Sequence, residues 1–257
     1  DDPWEKIHRY LSDGSFKYAG VTSMPGPQLK QAIPVSKKIR ELFPQIAIIW
    51  GGYFPSNQSK VVLNSGFVDF VVNGPGEKTF PSLLDALENN TPHELIHNLI
   101  YKSGRQIIKT AKDELYEPDE LPPLPYEKLN QSYPLHHYLG KTYLGTKTIA
   151  YHSSYGCPFK CSFCAVVPIY NARWKGRSAQ LIYNDIKYLK ENFGGNAIEF
   201  HDNNFFVSEK RTMEFAHLIK PEKMVWWGEG RIDTVDKYSD ESLSLMRESG
   251  CQMIFFG

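Results

Sequence analysis

The sequence predicts an α/β chain in two successive parts, each alternating strand and helix, joined by a proline-rich linker. Two observations predict the alternation. Apolar runs of strand length are followed by segments with helical apolar spacing. Most of the strand runs end in a stretch rich in Gly, Ser or Pro. A third observation predicts the linker. Pro118, Pro122, Pro123, Pro125 and Pro134 crowd residues 113–147, and proline stiffens a chain while removing backbone donors.

In order along the chain, 4–11 reads as a short amphipathic helix and 18–22 as a strand ending in Ser23-Met24-Pro25-Gly26. Leu29, Ala32, Ile33, Val35, Ile39 and Leu42 give 28–42 a helical face despite Pro34. The run 46–50 is a buried strand broken by Gly51-Gly52, and 61–64 is a short helix or turn. A third strand at 67–72 ends in Gly74-Pro75-Gly76-Glu77, and a helix follows at 79–88. This order predicts a doubly wound parallel sheet. Its loops then lie along the carboxyl edge, where open α/β sheets bind ligands. Beyond the linker, strands are predicted at 148–152, 197–201, 224–227 and 252–256. Helices at 179–192, 209–219 and 240–249 fall between them. Ser239 suits the N-cap of the last helix and Gly250 its C-terminal stop.

The 257 residues are 41% hydrophobic and 23% charged, an ordinary globular composition. Lys plus Arg and Asp plus Glu each total 29. That balance removes the electrostatic case for a nucleic-acid or membrane partner. No apolar stretch approaches the roughly 20 residues of a bilayer span, and the polar start is no signal peptide, so the expected compartment is the cytoplasm.

The four cysteines are Cys157, Cys161, Cys164 and Cys251. Three of them lie within eight residues, which reads as a metal site and not as a disulfide framework. The spacing is C-x3-C-x2-C directly after a strand, in Gly156-Cys157-Pro158-Phe159-Lys160-Cys161-Ser162-Phe163-Cys164. Three thiolates can hold three irons of a four-iron cluster and leave the fourth open to a small chelator. The alternative is structural zinc, with His152 or Cys251 as fourth ligand. Cys251, at an apolar strand start, otherwise reads as a small core residue.

This loop resembles the signature of the radical S-adenosylmethionine (SAM) superfamily, with Phe163 as the aromatic before the last cysteine. The resemblance implies that 148–257 is the first half of a partial (β/α) TIM barrel, with its site at the carboxyl ends of the strands. It implies that Cys157, Cys161 and Cys164 hold a four-iron four-sulfur cluster. SAM would chelate the free iron and be cleaved reductively to a 5′-deoxyadenosyl radical, or serve as methyl donor. Arg173-Trp174-Lys175-Gly176-Arg177-Ser178 and Phe200-His201-Asp202-Asn203-Asn204-Phe205 are similar to stretches of the cobalamin-linked members. By that resemblance Phe163, Asp202 and Asn203 contact SAM. Arg231 could pair with its carboxylate through a bidentate fork, and Glu229 could accept from its ribose or amino group. The alternative for Asp202-Asn203 is a turn before a helix, and for the other two a Glu229–Arg231 surface ion pair.

In the front part, Thr22-Ser23 and Gly51-Gly52-Tyr53 lie at strand ends, with Ser23 and Gly51 28 positions apart. They resemble a cobalamin-binding signature, and Gly74-Pro75-Gly76-Glu77-Lys78-Thr79-Phe80 resembles the run that closes such domains. The resemblance implies a cobalamin-binding-like, Rossmann-like domain over 1–112 that contacts cobalamin through Thr22, Ser23, Gly51, Gly52, Tyr53, Gly74 and Glu77. The alternative is a domain that kept the fold and lost the ligand. It also implies that the chain begins inside that domain and stops inside the barrel.

The expected activity is a cobalamin-dependent radical SAM methyltransferase acting on an unactivated carbon or phosphorus. An oxidative cyclase of the magnesium-protoporphyrin ester type is the second reading, and a non-enzymatic iron–sulfur or zinc module the third. A methylthiotransferase would carry further cysteines in front, and residues 1–156 have none. A small-molecule substrate and an external one-electron donor such as flavodoxin or ferredoxin are the expected partners. His136-His137 reads as solvated surface, and Tyr126, Tyr133, Tyr138 and Tyr143 as packing for the linker.

Overall fold

A computed structural model describes residues 3–257. The chain folds as two compact units. The first runs to Glu114 and also takes in Phe163–Asn171. The second comprises Leu115–Ser162 and Ala172–Gly257.

In the first unit, α1 (Trp4–Ser12), β1 (Tyr18–Thr22), α2 (Leu29–Leu42), β2 (Ala47–Gly51), α3 (Tyr53–Asn57), α4 (Ser59–Asn64), β3 (Phe70–Val72) and α5 (Thr79–Glu88) follow the expected alternation. A hairpin of β4 (Leu99–Ser103) and β5 (Gln106–Lys109) was not expected. The sheet order is β1-β2-β3-β4-β5, with β1 to β3 parallel and β4 and β5 antiparallel.

Alternate side chains of β2 feed opposite faces, as the pleat requires. Ile48 and Trp50 enter one core with Ile39 of α2, where the Trp50 indole donates to Ser36 Oγ at 3.0 Å. Ile49 enters the other with Leu83 of α5. The third strand is shorter than its apolar run because Asp69 interrupts it. One Asp69 carboxylate oxygen accepts from Ile48 N at 2.7 Å and from Arg40. The chain before Phe70 is thus tied by a side chain as well as by the bond from Asp69 N to Ile48 O.

The second unit opens with an irregular stretch that contains α6 (Tyr126–Ser132). Tyr126 packs on the core, stacked on Tyr188 at 5.7 Å, whereas Tyr133, Tyr138 and Tyr143 stay at least half exposed. His136 and His137 are exposed. Then follow β6 (Thr148–Tyr151), β7 (Ser154–Gly156), α7 (Val166–Tyr170, grouped with the first unit), β8 (Trp174–Gly176), α8 (Ala179–Phe193), β9 (Ala197–Phe200), α9 (Glu209–Ile219), β10 (Val225–Gly230), α10 (Ile232–Val235), α11 (Asp240–Glu248) and β11 (Cys251–Phe256).

The main sheet has order β11-β10-β9-β6, all parallel and open. Phe200, Phe205, Phe215 and Trp226 fill its core with edge-on and stacked rings. Ser178, Ser208 and Ser239 cap α8, α9 and α11, each accepting from a backbone N–H in the first turn. Gly250 ends the last helix with φ of +101°, and a Cβ there would lie 2.1 Å from Met224 O, so no other residue fits.

Among the described residues, no helix is long and apolar enough to cross a membrane.

Candidate functional site

Each unit gathers candidate residues at the carboxyl edge of its parallel strands. In the first, Thr22, Gly51 and Asn73-Gly74 end or follow β1, β2 and β3. Ser23 is fully buried there; its N–H donates to Gly51 O at 3.0 Å, and its carbonyl accepts from Phe54 N at 3.1 Å. Gly52 has φ of +97°, and a Cβ on it would sit 2.9 Å from both Ser23 O and Thr22 Oγ1. The Ser23 and Gly51-Gly52 loops are therefore one knitted surface that excludes side chains by construction. The third loop joins through Ser56 of α3, whose hydroxyl accepts from Gly74 N at 3.1 Å. Tyr53 opens α3 half-buried, and Glu77 is exposed.

Asn73 Oδ1 is closed off from solvent with no hydrogen bond. An orphan acceptor at a ligand-binding edge fits a bound group that carries N–H donors. Cobalamin, rich in amides, meets that requirement. Asn73 escaped the sequence reading because the neighbouring glycine motif carried the signal.

The same unit holds Phe163–Asn171, the chain that begins one residue before the third cysteine. Asn57 Nδ2 donates to Ala165 O at 3.2 Å. The Lys112 ammonium donates to Pro168 O and Ile169 O, both at 2.8 Å, and so neutralises the carbonyl end of α7. Phe163 itself is 89% exposed.

In the second unit the cysteine loop leaves a corner built from β6, β7 and β8. β7 and β8 pair antiparallel, with Gly156 opposite Trp174, so a two-stranded ribbon launches Cys157. A buried charged network supports this corner. Asp202 is fully enclosed; it accepts from Ser153 N at 3.1 Å, Ser153 Oγ at 2.9 Å and Ser154 Oγ. Arg211 reaches in from α9 and donates to Ser153 Oγ and Phe205 O, each at 2.9 Å. Its guanidinium lies 5.2 Å from the Trp174 ring centroid and 4.8 Å from that of Phe205. Burial lowers the Arg211 pKa, and the Asp202 carboxylate opposes that shift. Its helical spacing with Phe215 and Ile219, four residues apart, could have flagged an arginine on a buried stripe.

Asn203 is half-buried and Glu229 is exposed on β10. Arg231 does not pair with Glu229. Its Nε and Nη2 donate to the two oxygens of Asp233 at 2.9 and 2.8 Å, and its Nη1 donates to Cys161 Sγ at 3.3 Å. Hydrogen bonding to Asp233 is the main reason its pKa stands above the ordinary value, with the sulfurs of Cys161 and Cys157 adding.

None of the four cysteines is in a disulfide. Cys251 begins β11, opposite Trp226 near the amino end of the sheet. The strand itself carries the carboxyl edge about 16 Å further on. Burial pushes the Cys251 thiol up to about 12, so it stays protonated and inert. It is not placed to cap an iron at the loop. Among the described residues no three His, Cys, Asp or Glu side chains converge as one ion requires. A four-iron cube takes each thiolate on a separate iron, so its three ligands need not meet at one point.

No family model matches the chain. It is 27% identical over 242 residues to an uncharacterised methyltransferase of Pyrococcus horikoshii, covering 93% of this chain and 50% of that protein. It is 27% identical over 222 residues to the anaerobic magnesium-protoporphyrin IX monomethyl ester cyclase of Synechocystis, covering 85% and 43%. The chain thus spans about half the length of the curated relatives it matches. Its fold matches the radical SAM methyltransferase TsrM of Kitasatospora setae, solved with cobalamin and a four-iron four-sulfur cluster. The TM-score is 0.77 at 17% identity, over 100% of this chain and 51% of that one. In fold, then, the chain is similar to solved radical SAM enzymes that bind cobalamin, and in sequence to a methyltransferase and a magnesium-protoporphyrin ester cyclase.

Proposed function

We propose that the chain carries the cofactor-binding part of a cobalamin-dependent radical SAM methyltransferase that acts on an unactivated carbon or phosphorus of a small molecule. The observation that carries this is the donor set: three cysteines outside any disulfide on one loop at the carboxyl edge of a parallel sheet, with the fourth cysteine at the other end of its strand. Such a set leaves one iron for an exchangeable chelate. When bound, the cluster supplies one electron for cleaving the carbon–sulfur bond of SAM, and cobalamin supplies a methyl carrier.

The chain's own residues bind and orient. Cys157, Cys161 and Cys164 hold three irons. Asp202 spends its oxygens on Ser153 and Ser154, so its part is to hold the corner that launches the loop. Asn203 and Glu229 serve as polar contacts for SAM, with Phe163 against its adenosyl part. Arg231 lends its charge to the SAM carboxylate, because Asp233 already fills the bidentate edge of its fork. Thr22, Ser23, Gly51, Gly52, Tyr53, Gly74 and Glu77 line the cobalamin edge, where bare backbone lets a bulky ring approach. A flavodoxin or ferredoxin supplies the electron.

The likeness to the cyclase favours one second reading, oxidative ring closure on the same cofactors. Anaerobic reconstitution tests the reading. Four irons per chain are expected, lost in Cys161→Ala. Zinc uptake without iron would refute it.

A further inference from the structure

Arg231 follows β10 with extended backbone, φ −104°, at the start of α10. Its guanidinium is fixed from three sides. Asp233 takes the Nε–Nη2 edge in a fork-to-fork pair. The Phe159 ring lies beneath, its centroid 4.1 Å from Cζ. The remaining nitrogen, Nη1, donates to Cys161 Sγ at 3.3 Å. Phe159 and Cys161 belong to the same cysteine loop, so one side chain grips that loop by a face and by a sulfur. A lysine could supply the charge but neither the planar stack nor the second bond.

We infer that Arg231 is a positioning residue for the cysteine loop and sets the cluster's reduction potential through its hydrogen bond to Cys161, with Asp233 and Phe159 holding the guanidinium in place. The inference rests on the radical SAM reading above. The physical reason is charge. One electron arrives from an external low-potential donor, and no atom is transferred. The reduced cluster is one unit more negative, so a fixed cation and an N–H on a ligating sulfur stabilise it more than the oxidised form. Arg231 therefore raises the potential. Asp233 keeps it from swinging to solvent.

The test is an EPR-monitored dithionite titration of the reconstituted chain without SAM, alongside iron counting. The variants are Arg231→Gln, Arg231→Lys and Asp233→Asn. Iron content is expected to hold while the midpoint falls, most in Arg231→Gln, less in Arg231→Lys and least in Asp233→Asn. In Arg231→Gln the reduced-to-oxidised ratio at the wild-type midpoint should drop about tenfold, equivalent to about 59 mV for one electron. A fully loaded Arg231→Gln with an unchanged midpoint overturns the inference. If that variant takes up no iron, Arg231→Lys and Asp233→Asn decide: lowered midpoints support it and unchanged ones overturn it. A wild-type chain that takes zinc and no iron refutes the radical SAM reading itself, a separate result.

Discussion

The carboxyl edge of the first unit is held by backbone, that of the second by buried charge. Around Ser23 and Gly51-Gly52, main-chain groups bond directly to one another, and a positive-φ glycine lets them meet. Around the cysteine loop, Asp202 and Arg211 are buried side chains bridged by Ser153, with Trp174 and Phe205 flanking the guanidinium. The first arrangement fails sterically when a methyl group is added. The second fails electrostatically when one charge is removed, because the other is left buried and uncompensated.

The largest expected effect follows from that contrast. Arg211→Met should destabilise the chain by about 3–5 kcal/mol, the range for breaking a buried pair. Urea unfolding of the metal-free chain reads it, and adding Asp202→Asn should recover part of the loss. A cost near zero would remove the basis of the comparison. Next comes Gly52→Ala. The strained φ and the contact with Ser23 O should cost roughly 1–3 kcal/mol. Cobalamin retention on gel filtration should fall while iron loading stays intact. Equal damage to both cofactors would show that the two edges are not independent.

Ser239→Ala should cost about 1 kcal/mol through loss of a helix cap, with no change at either edge. The smallest effect is one of pH. Glu222 accepts from Lys190 at 2.6 Å and from Tyr183 at 2.9 Å; the Lys190 bond first, then the Tyr183 bond, hold its pKa below the ordinary 4.5. The fold thus favours the ionised form. Its contribution is complete above pH 4.5 and fades as pH falls through the lowered value. Glu222→Gln should flatten stability across that acid window and nowhere else.

The two edges also differ in how far they were legible in sequence. Periodicity placed most of the strands and longer helices, because a two-residue or 3.6-residue repeat needs only enough length to show. Helix α9 spans the expected 209–219, and Gly250 stops α11 as read. The β7–β8 ribbon was hidden because three-residue strands have no period, and their pairing spans the cysteine loop. The hairpin at 99–109 was hidden because Lys102 and Ser103, both exposed, end the apolar run of β4.

The three cysteines announced themselves by spacing. Their supports did not, because each joins residues far apart in the chain: Asp202 to Ser153, Arg211 to Trp174, Arg231 to Cys161. Arg231 itself was read toward a ligand carboxylate. Its neighbour Asp233, two residues on, is what claims the fork.

The most direct measurement is the EPR spectrum of the reduced, reconstituted chain with and without SAM. Three thiolate ligands and one open iron predict that SAM changes the signal, since it binds the metal. A four-iron signal that SAM leaves untouched would mean the fourth iron is already held, and would contradict the account.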